Sequence, residues 1–387
     1  MSHYKPYPAY RDSGVEWIGQ VPSKWEVKPI KIVATFNDDV LPDSTAADTP
    51  ISYVDISSVS YAAGIGSTEE MLFGNAPSRA RRKAKVGDVV ISTVRTYLKA
   101  VAAVDAAHAD CVYSTGFAVL RSRTGHIEPN FLKWLALNEL FIQSVESHTE
   151  GLSYPAINAP ELVNLKTVMP SLPEQATIAV TIDRETARFD ALIAKKTRFI
   201  ELLKEKRQAL ITHAVTKGLN PKAKMKASGV EWIGEVPEHW VAIKFNHVAR
   251  VTEGLVDPKA HPYREMVLIA PNHIESGTGK ILGLETAVFQ NAESGKYTCK
   301  KGAVIYSKIR PALAKVAIAP CDCLCSADMY PMDCTDRTYP EWLFYLMLSP
   351  PFTSWAILES DRVAMPKINR ESLADLRVFL PPMDEQL

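Results

Sequence analysis

The chain has 387 residues, 47% hydrophobic and 23% charged, which excludes a disordered chain and predicts folded protein with room for two domains. Lysine plus arginine equals aspartate plus glutamate at 44 each, so net charge gives no argument for a nucleic-acid partner and only local clusters can. The polar start, Met1 to Arg11, and the lack of a long apolar run predict a cytoplasmic protein without signal peptide or membrane span.

Cysteine usage indicates reduced thiols. Five of the six cysteines lie in the second half of the chain, which is hard to reconcile with a disulfide framework. Cys321, Cys323 and Cys325 alternate, but zinc sites usually space their ligands by two or more residues and add a second pair elsewhere. The nine histidines are scattered, so we expect neither a metal site nor a catalytic nucleophile.

Most of the sequence occurs twice. The first motif from the N-terminus is Ser-Gly-Val-Glu-Trp-Ile-Gly at 13–19, followed by Val-Pro-x-x-Trp. The same pattern returns at 228–234, and the offset from Gly14 to Gly229 is 215 residues. A repeat of this length indicates one fold used twice.

Each copy mixes strands and helices. Runs 88–94, 113–120 and 303–309 are apolar and contain or border glycine, which predicts strands. Runs with helical spacing begin at Pro129 and Pro340, and proline is favoured at the first helical position. The sequence therefore predicts an α+β fold, with two similar domains of short, mostly antiparallel strands and a few helices.

A Pro-x-Ile-Asn motif near the end of each copy, containing Asn158 and Asn369, leads to a Glu-Gln pair at 174–175 and 385–386. Asparagine at these matched places predicts a turn or a helix cap.

Only segment 174–217 has no second copy. Its apolar residues recur in heptads, which predicts a long coiled-coil-type helix separating the two domains. At 1.5 Å per residue such a helix is about 60 Å long and acts as a spacer. We predict a helix-pairing seam formed by Ile182, Phe189, Leu192, Phe199, Leu203 and Leu210.

These patterns divide the chain into a first domain at 1–173, the spacer helix at 174–217 and a second domain at 218–384. Segment 216–227, which contains Gly, Pro and four lysines, predicts a hinge into the second domain. Residues 385–387 repeat the start of the long helix, so a second such helix is the expected continuation.

Two copies of Ser-Gly-x-Glu-Trp-Ile-Gly-x-Val-Pro-x-x-Trp, each with Pro-x-Ile-Asn and Glu-Gln and separated by a heptad helix, resemble the specificity (S) subunit of type I restriction-modification enzymes. The resemblance covers essentially the whole chain. It implies that each domain is a target-recognition domain that reads one half of a bipartite target in double-stranded DNA. It also implies that the helix sets the half-site spacing and docks methyltransferase (M) subunits, that restriction or motor (R) subunits join later, and that the chain is not catalytic.

The resemblance further places S-adenosylmethionine, ATP and Mg²⁺ on the partner subunits and no cofactor in this chain. Members of the family pair the first helix with a second one, which this sequence does not contain. We therefore expect an exposed apolar stripe on the helix and self-association through it. Packing of the stripe onto the chain's own domains is the alternative.

DNA contact needs cations for phosphates and planar polar groups for base edges. Between positions 79 and 99, seven basic residues face a single acidic one, and cations recur at the matched region of copy two. The predicted contacts in copy one are Arg79, Arg81, Arg82, Lys83, Arg95, Tyr97, Lys99 and Tyr154. Those in copy two are Asn272, Lys296, Lys300, Lys301, Lys308, Arg310 and Lys315. A solvated basic loop and strand edge is the alternative interpretation.

The matched tryptophans and asparagines are predicted to be architectural instead. Two domains that read different sequences should share their scaffold residues and differ in their recognition residues.

Two other functions stay open. Ser349-Pro-Pro-Phe352 is similar to the tetrapeptide of amino-methyltransferases, which would make the chain a DNA adenine methyltransferase, although a double proline at a helix end explains it equally well. The sequence has neither a P-loop nor a glycine-rich loop suited to S-adenosylmethionine. The other alternative is an assembly scaffold whose domains read nothing.

Overall fold

The computed structural model describes residues 6–151, 155–360 and 366–387. The chain divides into two compact units, Met1–Ala194 (unit 1) and Lys195–Leu387 (unit 2). Within the described ranges, no helix combines the length and the apolar character needed to cross a membrane.

Unit 1 consists mainly of short strands. In chain order they are β1 (Tyr10–Asp12), β2 (Gln20–Pro22), β3 (Glu26–Pro29), β4 (Ala34–Phe36), β5 (Pro50–Val54), β6 (Val59–Ser60), β7 (Gly64–Ile65), β8 (Glu69–Leu72), β9 (Ala80–Lys83), β10 (Val89–Ser92), β11 (Val101–Ala103), β12 (Val112–Ser114), β13 (Phe117–Ser122) and β14 (Lys166–Met169). The helices that begin in this unit are α1 (Ile30–Val33), α2 (Pro129–Ala136), α3 (Glu139–Ser147), α4 (Ala159–Leu162) and α5 (Leu172–Lys217).

Two four-stranded sheets form the body of unit 1. The first has the order β11-β10-β13-β4 and is antiparallel, with Val90 opposite Val119. The second has the order β8-β5-β12-β9, and in it β12 runs parallel to β5. Antiparallel pairs β1-β2, β3-β14 and β6-β7 complete the strand pairing.

Unit 2 has the same kind of elements. Its strands are β15 (Met225–Ala227), β16 (Glu235–Pro237), β17 (Val241–Lys244), β18 (Ala249–Val251), β19 (Leu268–Ile269), β20 (Tyr297–Cys299), β21 (Val304–Ser307), β22 (Val316–Ile318), β23 (Cys323–Cys325), β24 (Met329–Cys334) and β25 (Arg377–Leu380). Its helices, besides the end of α5, are α6 (Pro340–Leu348), α7 (Pro350–Leu358) and α8 (Arg370–Asp375).

The topology of unit 2 repeats that of unit 1. Its antiparallel sheet β22-β21-β24-β18 matches β11-β10-β13-β4, and β19-β23-β20 matches β5-β12-β9, including the parallel pair. The pairs β15-β16 and β17-β25 correspond to β1-β2 and β3-β14. The prediction of an α+β fold used twice is therefore confirmed.

The main core of each unit lies between a sheet and its helices. In unit 1, Leu120 of β13 and Leu132 of α2 are fully buried in one cluster. In unit 2, Val304 of β21 and Leu343 of α6 are fully buried in the equivalent cluster. Burial of these apolar side chains is the main force that holds each unit together.

The repeated Ser-Gly motif forms a closed loop. The Ser13 N–H donates to the Gly19 carbonyl at 2.9 Å, and the Ser228 N–H donates to the Gly234 carbonyl at the same distance. The first glycine of each motif has a φ of 68° or 69°, a left-handed conformation that favours glycine. The tryptophan inside each motif packs against the main core, which confirms its architectural role.

The Glu-Gln pair links the end of each copy to the start of a helix. Gln175 is 1% exposed, and its side-chain amide donates to the Pro170 carbonyl at 2.9 Å. Its side-chain oxygen accepts the backbone N–H of Glu128, the residue before α2, at 2.9 Å. Gln386 makes the equivalent two bonds in unit 2, at 2.9 and 2.8 Å.

Helix α5 has 46 residues, and at 1.5 Å per residue it is about 69 Å long, in agreement with the predicted spacer. In unit 1, Asp183 on α5 forms an ion pair with Lys133 of α2 at 2.9 Å. In unit 2, the side-chain amide of Gln208 on α5 donates to the Leu348 carbonyl at 3.0 Å. The boundary between the two units falls inside α5, after Ala194.

Two predictions about local structure were wrong. Run 113–120 is not one strand but β12 and β13 in different sheets, because a turn at Thr115 and Gly116 separates them. Segment 216–227 is not a hinge throughout, since α5 continues to Lys217 and residues 225–227 form β15, which pairs with β16.

Candidate nucleic-acid interface

Strand β9 carries three successive cations of the basic run of unit 1, namely Arg81, Arg82 and Lys83. Successive side chains of a strand point to opposite faces, so these cations do not form a single patch. Lys83 is exposed, while Arg81 is 28% exposed and lies 4.7 Å above the Phe73 ring. Arg79, just before the strand, forms an ion pair with Asp55 at 2.9 Å.

Arg82 is the partly buried member of this run. Its Nε is buried without a hydrogen-bond partner, and burial lowers the pKa of its guanidinium. A buried unpaired N–H costs about 1–3 kcal/mol. A hydrogen-bond acceptor that reached this N–H would therefore remove that cost.

A tight turn between β10 and β11 carries three further predicted residues. Arg95 and Lys99 have φ values of 51° and 49°, in the left-handed region that side chains seldom adopt. Arg95 is exposed and Tyr97 is 57% exposed. The Lys99 ammonium donates to Glu139 at 2.6 Å, and this bond raises the pKa of Lys99 and lowers that of Glu139.

Unit 2 repeats this turn between β21 and β22. Arg310 and Ala314 have φ values of 50° and 43°. The Arg310 N–H donates to the Pro366 carbonyl at 2.8 Å, as the Arg95 N–H does to the Pro155 carbonyl. In both units the Pro-x-Ile-Asn motif therefore supports an exposed arginine in the same strained conformation.

The basic residues around β20 differ in accessibility. Lys300 and Lys301 are exposed. Lys296 is 7% exposed, and its ammonium donates to the Ser294 carbonyl at 2.5 Å and hydroxyl at 2.7 Å. The low exposure and the bonds to Ser294 show that this side chain is turned into the unit, and its burial lowers the pKa of the ammonium.

Lys315 contacts the turn that contains Asn272. The Lys315 ammonium donates to the Pro271 carbonyl at 2.6 Å and so fixes the turn that carries the exposed Asn272. Tyr154, the remaining predicted contact, lies outside the described residues.

The sequence pattern did not single out two cations that the fold places beside Lys308. Lys367 is exposed and pairs through an isolated bridge with Ile309, and Arg370 begins α8. Both lie in or next to the Pro-x-Ile-Asn motif, whose matched residues were predicted to be architectural. The sequence feature that could have identified them is a difference between the copies, since Lys367 and Arg370 stand where copy one has Ala156 and Ala159.

The asparagines of that motif are helix caps, as predicted. The Asn369 side chain accepts the N–H of Ser372 at 2.7 Å, and at the start of α4 the backbone N–H of Asn158 donates to the Glu161 carboxylate at 3.4 Å. Caps of this kind stabilise the first turn of a helix.

Ser349 has the same role in α7. It is fully buried, its hydroxyl donates to the Leu346 carbonyl at 2.7 Å, and it accepts the Phe352 N–H at 3.4 Å. Phe352 is also fully buried, with its ring centroid 5.6 Å from that of Tyr306. This geometry gives the Ser-Pro-Pro-Phe tetrapeptide a capping and packing role and does not support the methyltransferase interpretation.

The predicted seam is largely exposed. Ile182 is partly buried, and the other five side chains are between 48% and 62% exposed, namely Phe189, Leu192, Phe199, Leu203 and Leu210. Exposed apolar residues repeated along one helix are typical of an interaction surface.

In the described part of the chain, no group of three or more His, Cys, Asp and Glu side chains is arranged to hold a metal ion. All six cysteines are free thiols. Cys299 and Cys323 lie opposite each other on β20 and β23 and are buried in the smaller core of unit 2.

Known proteins resemble this chain in sequence and in fold. No protein-family model matches it. It is 34% identical over 284 residues to the type I restriction enzyme EcoDI specificity subunit of Escherichia coli, which covers 68% of this chain and 63% of that protein. It is 26% identical over 269 residues to the type I restriction enzyme MjaVIII specificity subunit of Methanocaldococcus jannaschii, covering 65% and 59%. The chain thus spans less than two thirds of the length of these relatives.

Two solved structures share the fold. The first, described as the structural basis of complex assembly and conformational transition of the type I R-M system, has a TM-score of 0.68 at 22% identity and covers 94% of this chain and 88% of its own. The second, the HsdS subunit from Thermoanaerobacter tengcongensis, has a TM-score of 0.59 at 22% identity and covers 95% and 87%. The predicted two-domain α+β architecture with a long central helix agrees with both.

Proposed function

Since the chain belongs to the family of type I restriction enzyme specificity subunits, we propose that it is the non-catalytic, DNA-reading subunit of a type I restriction-modification complex in the cytoplasm. Units 1 and 2 each read one half of a bipartite target in double-stranded DNA. The duplicated fold supports this proposal, because two copies of one scaffold with different surface residues suit two different half-sites.

The observation that carries the proposal is the repeated basic turn. Arg95 and Arg310 are exposed, have φ values of 51° and 50°, and are supported by the same backbone hydrogen bond. Strained backbone persists where the surrounding structure over-determines it, and such residues cluster at functional sites. Exposed arginine is well suited to phosphate, a contact that two domains reading different sequences can share.

In this proposal α5 sets the distance between half-sites and provides docking surface for methyltransferase subunits, and motor or restriction subunits join the assembled complex. S-adenosylmethionine, ATP and Mg²⁺ then belong to those partner subunits. The exposed seam pairs with a helix of the same kind, which a second copy of the chain can supply.

The experiment is charge reversal in the complex reconstituted with its partner subunits. Exchanging Lys83 and Arg95, both exposed, for glutamate should weaken binding of target DNA at least tenfold and abolish its methylation, because like charges then face the phosphates. The matched control exchanges Lys24 and Lys166, also exposed in unit 1, for glutamate and should stay within about twofold of wild type. Unchanged affinity and target choice in the first variant would favour an assembly scaffold.

A further inference from the structure

Unit 2 contains a cluster of cations, Lys308, Arg310, Lys367 and Arg370, that the sequence alone does not bring together. Lys308 and Arg310 follow β21 and lead into the strained turn. Lys367 and Arg370 are some 60 residues further along the chain. The fold joins the two segments through backbone bonds, with the Ile368 N–H donating to the Lys308 carbonyl at 3.0 Å.

Two members of the cluster lie over the same aromatic ring. The Lys308 ammonium is 5.1 Å from the centroid of Tyr330, and the Arg370 guanidinium carbon is 5.6 Å from it. Arg370 also lies 5.6 Å from the Tyr297 centroid, and it donates to the hydroxyl of Tyr297 at 3.1 Å. Cation–π contact holds these charges close to each other despite their repulsion.

The carboxylates near the cluster do not balance it. Among the described residues, Glu253 forms an ion pair with Arg370 at 3.4 Å and the charge of Asp328 raises the pKa of Lys308, so two carboxylates act on a cluster of four cations. Burial, then the charges of Lys367 and Arg370, lower the pKa of Lys308. Such an excess of like charge favours a bound anion.

The described residues of unit 1 do not form this excess of cations at the equivalent place. The Ile157 N–H donates to the Thr93 carbonyl at 2.8 Å, which makes Thr93 the counterpart of Lys308. The bridge between Val94 and Ala156 matches that between Ile309 and Lys367, and Ala159 begins α4 as Arg370 begins α8. Of the four cations of the cluster, Arg310 alone has a basic counterpart in unit 1, which is Arg95.

We propose that Lys308, Lys367 and Arg370, together with the Arg310 turn, form an anion site for a backbone phosphate of DNA that is present in unit 2 and missing from unit 1. The inference rests on the proposed DNA-reading function and adds an asymmetry to it. The half-site read by unit 2 is held by more phosphate contacts, so it contributes more of the salt-dependent affinity.

The test replaces unit 2 residues by their unit 1 counterparts, Lys308→Thr with Lys367→Ala, in the full-length chain. The slope of log affinity against log salt for a duplex should fall by about 1–2, because each phosphate contact contributes about 0.9. The charge-matched control Lys222→Ala with Lys280→Ala removes two exposed lysines of unit 2 outside the cluster and should change the slope by less than about 0.5. An unchanged slope in the first variant, or an equal loss in the control, overturns the proposal.

The reciprocal variant Ala156→Lys with Ala159→Arg transfers the site to unit 1 and should raise the slope by about 1–2. If the double lysine variant does not fold, Lys367→Ala alone serves, since Lys367 is exposed.

A second measurement separates this site from the proposed function. Inorganic phosphate, compared with chloride at equal ionic strength, should raise the thermal unfolding temperature of the wild type more than that of the double lysine variant. If phosphate discriminates between them while no duplex binds even with the partner subunits, the anion site stands and the DNA-reading function fails. If DNA binds with an unchanged slope and phosphate has equal effects, the anion site is wrong and the function stands.

Discussion

Among single residues, Arg121 of β13 is the centre of a partly buried ion-pair network in unit 1. Its guanidinium donates to Asp88 at 2.7 to 3.1 Å and to Asp39 at 2.8 Å. Asp88 is 3% exposed. At the matched strand positions unit 2 has Ala303 and Asp333, an arrangement without a buried pair. The network joins β10 and β13 in the sheet that supports the basic turn of unit 1.

Arg121→Leu should destabilise unit 1 by about 3–5 kcal/mol, because it leaves the Asp88 carboxylate buried and uncompensated. Chemical denaturation monitored by hydrogen exchange of β10 and β13 amides measures the change. Arg188→Leu, an exposed arginine on α5, is the control and should change stability by less than about 0.5 kcal/mol. Equal stability of the two variants would show that the network does not stabilise the unit.

Acid sensitivity of unit 1 should depend on Asp39. The hydrogen bond from Arg121 is the main reason that the pKa of Asp39 lies below its ordinary value. A carboxylate with a lowered folded pKa stabilises the fold above its unfolded pKa of about 3.9, and this contribution is lost as the pH falls through the folded pKa. In Asp39→Asn, the stability of unit 1 should therefore fall less steeply between about pH 5 and pH 3. Identical pH profiles of unfolding for variant and wild type would contradict this.

At the level of elements, the repeated motifs connect segments that are distant in sequence through hydrogen bonds. The side chain of Gln175 connects the chain before α5 with the start of α2, and Gln386 does the same before α6. The repetition of these contacts explains why a Glu-Gln pair occurs at the end of both copies.

Gln175→Leu should cost unit 1 about 2–4 kcal/mol, because it leaves the Glu128 N–H and the Pro170 carbonyl without their partner. Thermal unfolding of the variant measures the loss, and Thr177→Ala, an exposed change one half-turn along the helix, is the control. A loss no larger than that of the control would mean that the link is dispensable.

The seam of α5 should drive self-association. We expect the wild-type chain to form dimers or larger species at high micromolar concentration, as seen by light scattering, because its apolar side chains are exposed. Phe189→Glu with Phe199→Glu should shift the equilibrium to monomer, while Ala187→Glu with Ala194→Glu, exposed positions on another face of the helix, should leave it unchanged. A wild-type chain that stays strictly monomeric contradicts the prediction.

The elements could be predicted from the sequence to different degrees. Helix α5 was predictable because its heptads are local and long, and its predicted end at Lys217 is correct. The break between β12 and β13 was not, because one glycine turn inside an apolar run decides which sheet each half joins. The cluster around Lys308 was missed because contacts between residues 308 and 370 depend on the fold and not on sequence spacing.

The predicted DNA contacts show the same limit. A run of basic letters does not reveal which members are accessible, and the structure separates exposed Lys83 and Lys300 from buried Lys296. Their contact with DNA stays a prediction. The left-handed turns at Arg95 and Arg310 could not be predicted either, because arginine seldom adopts this backbone conformation and no glycine marks the position.

For the whole molecule, duplication explains why the two units share one topology and yet differ in their surface residues. Shared motifs build one scaffold twice, and each scaffold carries its own set of surface residues. In the proposed function, specificity for two unlike half-sites then requires no change of fold. The proposed anion site of unit 2 adds a second difference, because unit 2 would then bind the DNA backbone more strongly than unit 1.

The most direct test is to map methylated adenines in the genome of a host that expresses this chain with its partner subunits. We predict a bipartite motif, two short specific sequences separated by a fixed number of unspecified bases. Exchanging Lys83 and Arg95 of unit 1 for glutamate should abolish methylation at this motif, because like charges then face the DNA phosphates. A single continuous motif, or a methylation pattern that is the same without this chain, would contradict the account.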